Sequence, residues 1–217
     1  MYDAIGKAWT RSKGEILSYL NADEQYLPGT LTTVAATFQQ NPQSDAVFGD
    51  YILCDTADGH PLAARREIPL RSFYVRHGPL YAMSCTLFFR RRLLESGLLN
   101  FRSDLRVVAD ADLVLRLLDA GVKFHHVSRY LALFGITKDN LSRTRNGCDE
   151  TAQLRKEQEG PAGFLFRPVA RLLRAAEKVI SGSYRREHLE YDFCTDETGR
   201  VEKITADDVS PRWRWNR

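Results

Sequence analysis

Leu20-Asn21-Ala22-Asp23-Glu24-Gln25-Tyr26-Leu27-Pro28-Gly29 is the stretch on which the reading of this chain turns. It sets acidic side chains in a turn directly after an apolar run that reads as a strand, the place where an α/β enzyme holds a metal-bound phosphate. Asp23 offers a hard carboxylate oxygen suited to Mg2+ or Mn2+, and a diphosphate can supply further oxygens to the same ion. Such an ion neutralises charge on a diphosphate leaving group. Asn, Asp and Glu are also ordinary turn residues, so the run alone leaves both readings open.

Upstream, residues 3–13 read as a short helix with Ile5, Ala8 and Trp9 on one face, ended by Gly14 before a strand at 15–20. Downstream, Leu31, Val34, Ala35 and Phe38 recur at helical spacing up to Asn41-Pro42. A strand follows at 46–54, then a hairpin turn at Asp58-Gly59 returning through Leu62 and Ala63. A strand at 86–89, a helical turn at 91–96, a helix at 111–120 and strands at 122–127 and 130–136 complete the series. Strands alternating with helices predict an α/β fold, a mostly parallel sheet with flanking helices. From Thr151 the character changes to a polar helix ending at Glu159, a Gly160-Pro161 break and a helix at 164–180. In that helix Phe166, Val169, Leu173 and Ile180 contrast with Arg167, Arg171, Arg174 and Lys178. A hairpin with its turn at 196–199 and a tail carrying Trp213 and Trp215 follow. The expected division is a catalytic-type domain at 1–148 and a helical and hairpin appendage at 149–217.

With 217 residues, 43% of them apolar and 27% charged, the chain can bury a real core. A net charge of +3 does not call for nucleic acid, and a short basic tail around Trp213 and Trp215 is too nonspecific to change that. Cys54, Cys85, Cys148 and Cys194 are scattered without a Cys-x-x-Cys pair, which argues against a zinc knuckle or disulfide framework and for reduced thiols in the cytoplasm. No run approaches the roughly 18 apolar residues of a membrane span.

Asp110, in Val107-Val108-Ala109-Asp110-Ala111-Asp112-Leu113, stands where a carboxylate can be both a helix N-cap and a general base. Asp112 lies in the first helical turn and pairs by spacing with Arg116. His125 and His126 are strand neighbours pointing to opposite faces, so no single metal sees both. His77, beside Gly78-Pro79, reads as a loop residue that could touch a substrate, although a loop histidine with no identified partner is more often idle.

Taken in order, these segments resemble the family 2 inverting glycosyltransferases of the GT-A fold over about residues 2–145. Tyr2-Asp3-Ala4-Ile5 with Lys7 is similar to that family's Tyr-Asp-Ala-Ile-Asn-Lys-Gly helix, and Gly14-Glu15-Ile16 with Leu20-Asn21-Ala22-Asp23-Glu24 to its Gly-Glu-Ile strand and Asp-x-Asp type turn. Phe48-Gly49-Asp50 with Asp58-Gly59 resembles its Tyr-Gly-Asp strand and hairpin, Phe88-Phe89-Arg90-Arg91 the strand after the acceptor loop, and Ala109-Asp110 through Arg116 the helix led by the catalytic base. Gly6, Glu24 and Ala109 depart from the family's usual Asn, Asp and acidic residue.

The resemblance implies a hexosyltransferase-like enzyme of polysaccharide or glycoconjugate synthesis. Asp23 would bind Mg2+ or Mn2+, Asn21 and Asp3 would lie near a nucleotide-sugar donor, and Asp110 would take the proton from the hydroxyl of a saccharide or lipid-linked acceptor that attacks in line with inversion. Complete members begin well upstream of the segment matched by Tyr2, so an incomplete GT-A sheet is expected, with exposed edges that a partner chain would cover. The alternative is a noncatalytic remnant or interaction module binding a membrane surface or a protein. The basic helix is expected either peripherally on an anionic inner-membrane face or packed against the domain.

Overall fold

A computed structural model describes residues 1–137, 145–160, 162–195 and 199–213. Pro161, the turn residues 196–198 and Trp215, all named in the expectations above, lie outside the described residues.

The sheet is built around β3 (Ala46–Asp55), whose first nine residues are all buried, the mark of a strand covered on both faces. Alternation along it feeds two cores. Ala46 and Phe48 pack with Trp9, Phe89, Leu113 and Leu117, while Val47 turns the other way onto Val34, Phe38, Phe88 and Leu131. The first core is roofed by α1 (Tyr2–Arg11), α4 (Arg92–Glu95) and α5 (Ala109–Asp119), the second by α2 (Thr30–Gln40).

The strand order is β1 (Ile16–Leu17), β5 (Phe88–Arg90), β3, β6 (Phe124–Ile136), β2 (Glu24–Tyr26), with β4 (Pro61–Arg65) forming the expected hairpin on β3. β3 and β6 run parallel along the longest ladder, with α5 as the helical crossover that parallel pairing requires. The four shorter pairings around that ladder are antiparallel, so the sheet is mixed. Where two strands were expected at 122–127 and 130–136 there is one, and its register slips past Ser128 and Arg129 beside Gly49. A Cβ on Gly49 would overlap the Leu131 side chain, so this close crossing needs glycine. The strand expected at 15–20 shrinks to two residues, because the Ser18 carbonyl leaves the ladder to accept from Trp9 Nε1 at 3.0 Å. At 86–89 a 3-10 turn (Ser84–Thr86) precedes β5. The terminal strands β1 and β2 are only two and three residues long.

The expected boundary at 148/149 falls inside a continuous helix, α6 (Arg145–Glu159). After the 3-10 turn Gly163–Leu165 comes α7 (Phe166–Ile180), then the hairpin β7 (Glu187–Thr195) and β8 (Arg200–Val209). The hairpin shares a core with the sheet: Leu189, Tyr191 and Phe193 pack on Ile52, Cys54, Ala64 and Leu133. Tyr191 also donates to the Gly59 carbonyl at 2.6 Å.

α7 does pack on the domain, and it does so with its charged side inward. Ala170 enters the core beside Ile68, Tyr81 and Leu115. Lys178 Nζ lies 2.8 Å from the buried Glu67 carboxylate, which also meets Arg65 at 3.2 Å and Arg174 at 3.4 Å. The Arg174 guanidinium stacks 4.1 Å above the Tyr81 ring. The apolar arc consequently faces outward, with Leu172 71% and Ile180 87% exposed. No helix among the described residues is long and apolar enough to cross a membrane.

Candidate active site

The residues after β1 do not continue as a strand; they wrap into a wall. Glu24 fixes its shape: buried, it accepts from the Asn21 backbone N–H at 2.8 Å, from Asn21 Nδ2 at 3.0 Å and from Ser84 Oγ at 2.7 Å. Burial raises the Glu24 pKa in spite of these donors. Glu24, one methylene longer than the aspartate of the motif it resembles, therefore works as a clasp within the turn. Asp23 is held by its backbone, whose carbonyl accepts from Gly135 N–H at 2.8 Å. A Cβ at Gly135 would collide with that carbonyl and with Thr56, so only glycine lets the end of β6 approach the turn. The Asp23 carboxylate itself, half-buried, has no hydrogen bond or ion pair among the described residues.

Opposite stands the start of α5. Val108 is the N-cap and Ala109 the first helical residue, so Asp110 is the second helical residue, two positions beyond the N-cap. Its carboxylate still accepts a first-turn donor, Ala111 N–H, at 2.8 Å. Burial pushes the Asp110 pKa up to about 6, against the lowering effect of backbone donors and of the Tyr2 hydroxyl. That places a carboxylate near the range of a general base at neutral pH. The segment leading into α5 is held from outside by Glu150 on α6, which accepts from the backbone N–H groups of Arg106 (2.8 Å), Val107 (2.6 Å) and Val108 (2.9 Å). Burial works against the Glu150 charge, yet the three donors outweigh it and its pKa is lowered.

Asn21, Asp23 and Asp110 line one cavity of about 540 Å³ together with Tyr2, Tyr19, Ser84 and Arg106. Burial raises the Tyr2 and Tyr19 hydroxyls well above the ordinary tyrosine range, so both line the cavity as neutral hydroxyls. Tyr19, Arg106 and the support from Glu150 carry no sequence signal, since each acquires its place only through contacts distant along the chain. A larger concavity of about 820 Å³ lies elsewhere, between β6 and the β7–β8 hairpin, and contains neither Asp23 nor Asp110.

Asp3 is not brought into the 540 Å³ cavity. It pairs with Lys7 at 2.7 Å on the exposed side of α1, and its neighbour Tyr2 takes the inward position. His77 is also elsewhere: it is buried rather than poised in a loop, between Phe73 and Phe166, with Nδ1 3.8 Å from Glu159 and unpartnered. His126 contacts Asp50 at 2.8 Å. Asp112 pairs with Arg116 at 2.7 Å, as spacing predicts.

Among the described residues no cluster of three or more His, Cys, Asp or Glu forms a cation cage. One free carboxylate at Asp23 fits a divalent cation whose remaining ligands come from a bound diphosphate, and does not fit a cation held by protein alone.

No family model matches the chain, and no curated protein matches it. Among solved structures it is similar to S. aureus TarS 1–349 in complex with UDP-GlcNAc, with TM-score 0.51 and 12% identity over 90% of this chain and 77% of that one. TarS 1–349 gives TM-score 0.45 at 12% identity, over 92% and 77%; TarS gives 0.46 at 11%, over 91% and 47%. At such identities the likeness shows the fold alone, a mixed α/β sheet with flanking helices.

Proposed function

We propose that this chain transfers a sugar from a nucleotide-sugar donor to an acceptor hydroxyl with inversion at the anomeric carbon. The observation that carries the reading is the placement of Asp110, with its pKa near 6, in one cavity with the free carboxylate of Asp23. Asp110 accepts the proton of the acceptor hydroxyl as its oxygen attacks the anomeric carbon, and the glycosidic bond to the diphosphate breaks in line. Asp23 would hold Mg2+ or Mn2+ jointly with diphosphate oxygens, and the ion when bound offsets charge on the leaving group. Asn21, clasped by Glu24, and Arg106 at the rim are placed to orient the donor. A saccharide or lipid-linked acceptor then enters the cavity beside Asp110. The UDP-GlcNAc held by a chain of similar fold makes a UDP-sugar the first donor to try.

The test is release of UDP from UDP-GlcNAc with Mn2+, water serving as the acceptor. Asp110→Asn should lower the rate by about 100-fold or more. The wild-type rate should rise with pH through about 6, because Asp110 acts only when ionised. An Asp110→Asn variant with undiminished turnover overturns the assignment. A folded wild type that turns over no donor supports the noncatalytic reading instead.

A further inference from the structure

We propose that α7 is a membrane-docking element that enters an anionic phospholipid surface by its apolar arc, while the cationic groove along its edge takes the lipid phosphates. Val169, Leu172, Leu173, Val179 and Ile180 of α7 are all exposed. At 100° per residue they fall on one side of the helix, an arc of less than half a turn. A soluble helix normally turns such an arc to the core; here Glu67 holds the opposite, charged arc inward, so nothing in the domain covers the apolar one. Continuous exposed apolar surface of this kind marks an interaction site.

The chemistry of its occupant follows from what adjoins it. A groove of about 490 Å³ between α7, α6 and the segment after β8 is lined by Arg65, Arg155, Arg171, Arg174, Lys178 and Arg212, with no carboxylate in its lining. Glu67 beneath it engages Arg65, Arg174 and Lys178. Arg155 and Arg171 have no ion pair among the described residues, and Arg212 stacks on Tyr184 at 4.7 Å. Burial, with Arg65 and Arg174 close by, pushes Lys178 down to about 8 in spite of Glu67, so added anions would be welcomed there. Arg171 and Ala175 place the groove against the border of the apolar arc. An apolar face bordered by unneutralised arginines suits an anionic lipid surface. A second copy of this chain would bring the same arginines against the same arginines. The inference does not depend on the sugar-transfer reading.

The experiment is flotation of the full chain with vesicles of phosphatidylcholine alone or containing phosphatidylglycerol, beside light scattering of the free protein. Wild type should float with the anionic vesicles and remain monomeric. Arg155→Glu with Arg171→Glu should weaken flotation by about tenfold or more, and Leu172→Glu or Ile180→Glu, both at exposed positions, should abolish it without lowering the melting temperature. Flotation unchanged in either set overturns the proposal. So does a dimer that dissociates in Leu172→Glu, or a wild type that is retained by inorganic phosphate resin yet ignores anionic vesicles.

Discussion

Asp110 illustrates how one residue is tuned by neighbours that the local sequence does not reveal. It lies in the first turn of α5, where burial outweighs its backbone donors and the Tyr2 hydroxyl, so its native pKa of about 6 stands above the ordinary carboxylate value. The native state therefore binds the proton more tightly than the unfolded chain. Stability is present below pH 4 and is lost as pH rises toward 6. Asp110→Asn should consequently raise the melting temperature at pH 7 and leave it unchanged near pH 3.5, as followed by circular dichroism; a fall at pH 7 would show the carboxylate to be stabilising. Asn21, Asp23 and Asp110 are legible as candidates because short motifs carry them. Glu150 was not, because it reaches the Arg106 to Val108 amides from about 40 positions away. Asp3 and Tyr2 show the opposite failure: a motif names both residues, and only the helix's seating decides that Tyr2 faces the cavity.

At the scale of elements, α7 and the hairpin carry the most instructive differences. Periodicity correctly yields a helix with an apolar and a basic arc, but it does not say which arc is inside. One buried acid, Glu67, with Arg65, Arg174 and Lys178 around it, reverses the usual orientation. The hairpin is legible as a hairpin but its packing on the sheet is not, because its alternation Leu189, Tyr191, Phe193 is the same whether the face meets solvent, a partner or the sheet. In fact it packs on β3, β4 and β6. Phe193→Ala should therefore destabilise the whole chain by about 3 kcal/mol, lowering a single thermal transition by about 6 to 12 °C. A two-step melt, with the main transition unmoved, would restore the independent appendage.

Across the whole molecule, two walls from distant parts of the chain are brought to face each other. The Asn21 to Glu24 wall is set by the Glu24 clasp and by the close approach of Gly135; the Asp110 wall is set by α5, which α6 holds through Glu150. The parallel β3–β6 ladder fixes the distance over which they meet, since the Asp23 turn hangs on the end of β6 while the core under β3 seats α5. On the proposed mechanism these walls form one site with a metal end at Asp23 and a base end at Asp110. Calorimetric titration of UDP in the presence and absence of Mn2+ tests it most directly. Wild type should bind UDP only with Mn2+, Asp23→Ala should lose that binding, and Asp110→Asn should keep it. Binding that ignores the metal or survives Asp23→Ala, or a folded wild type that takes up no UDP with Mn2+, would contradict the claim.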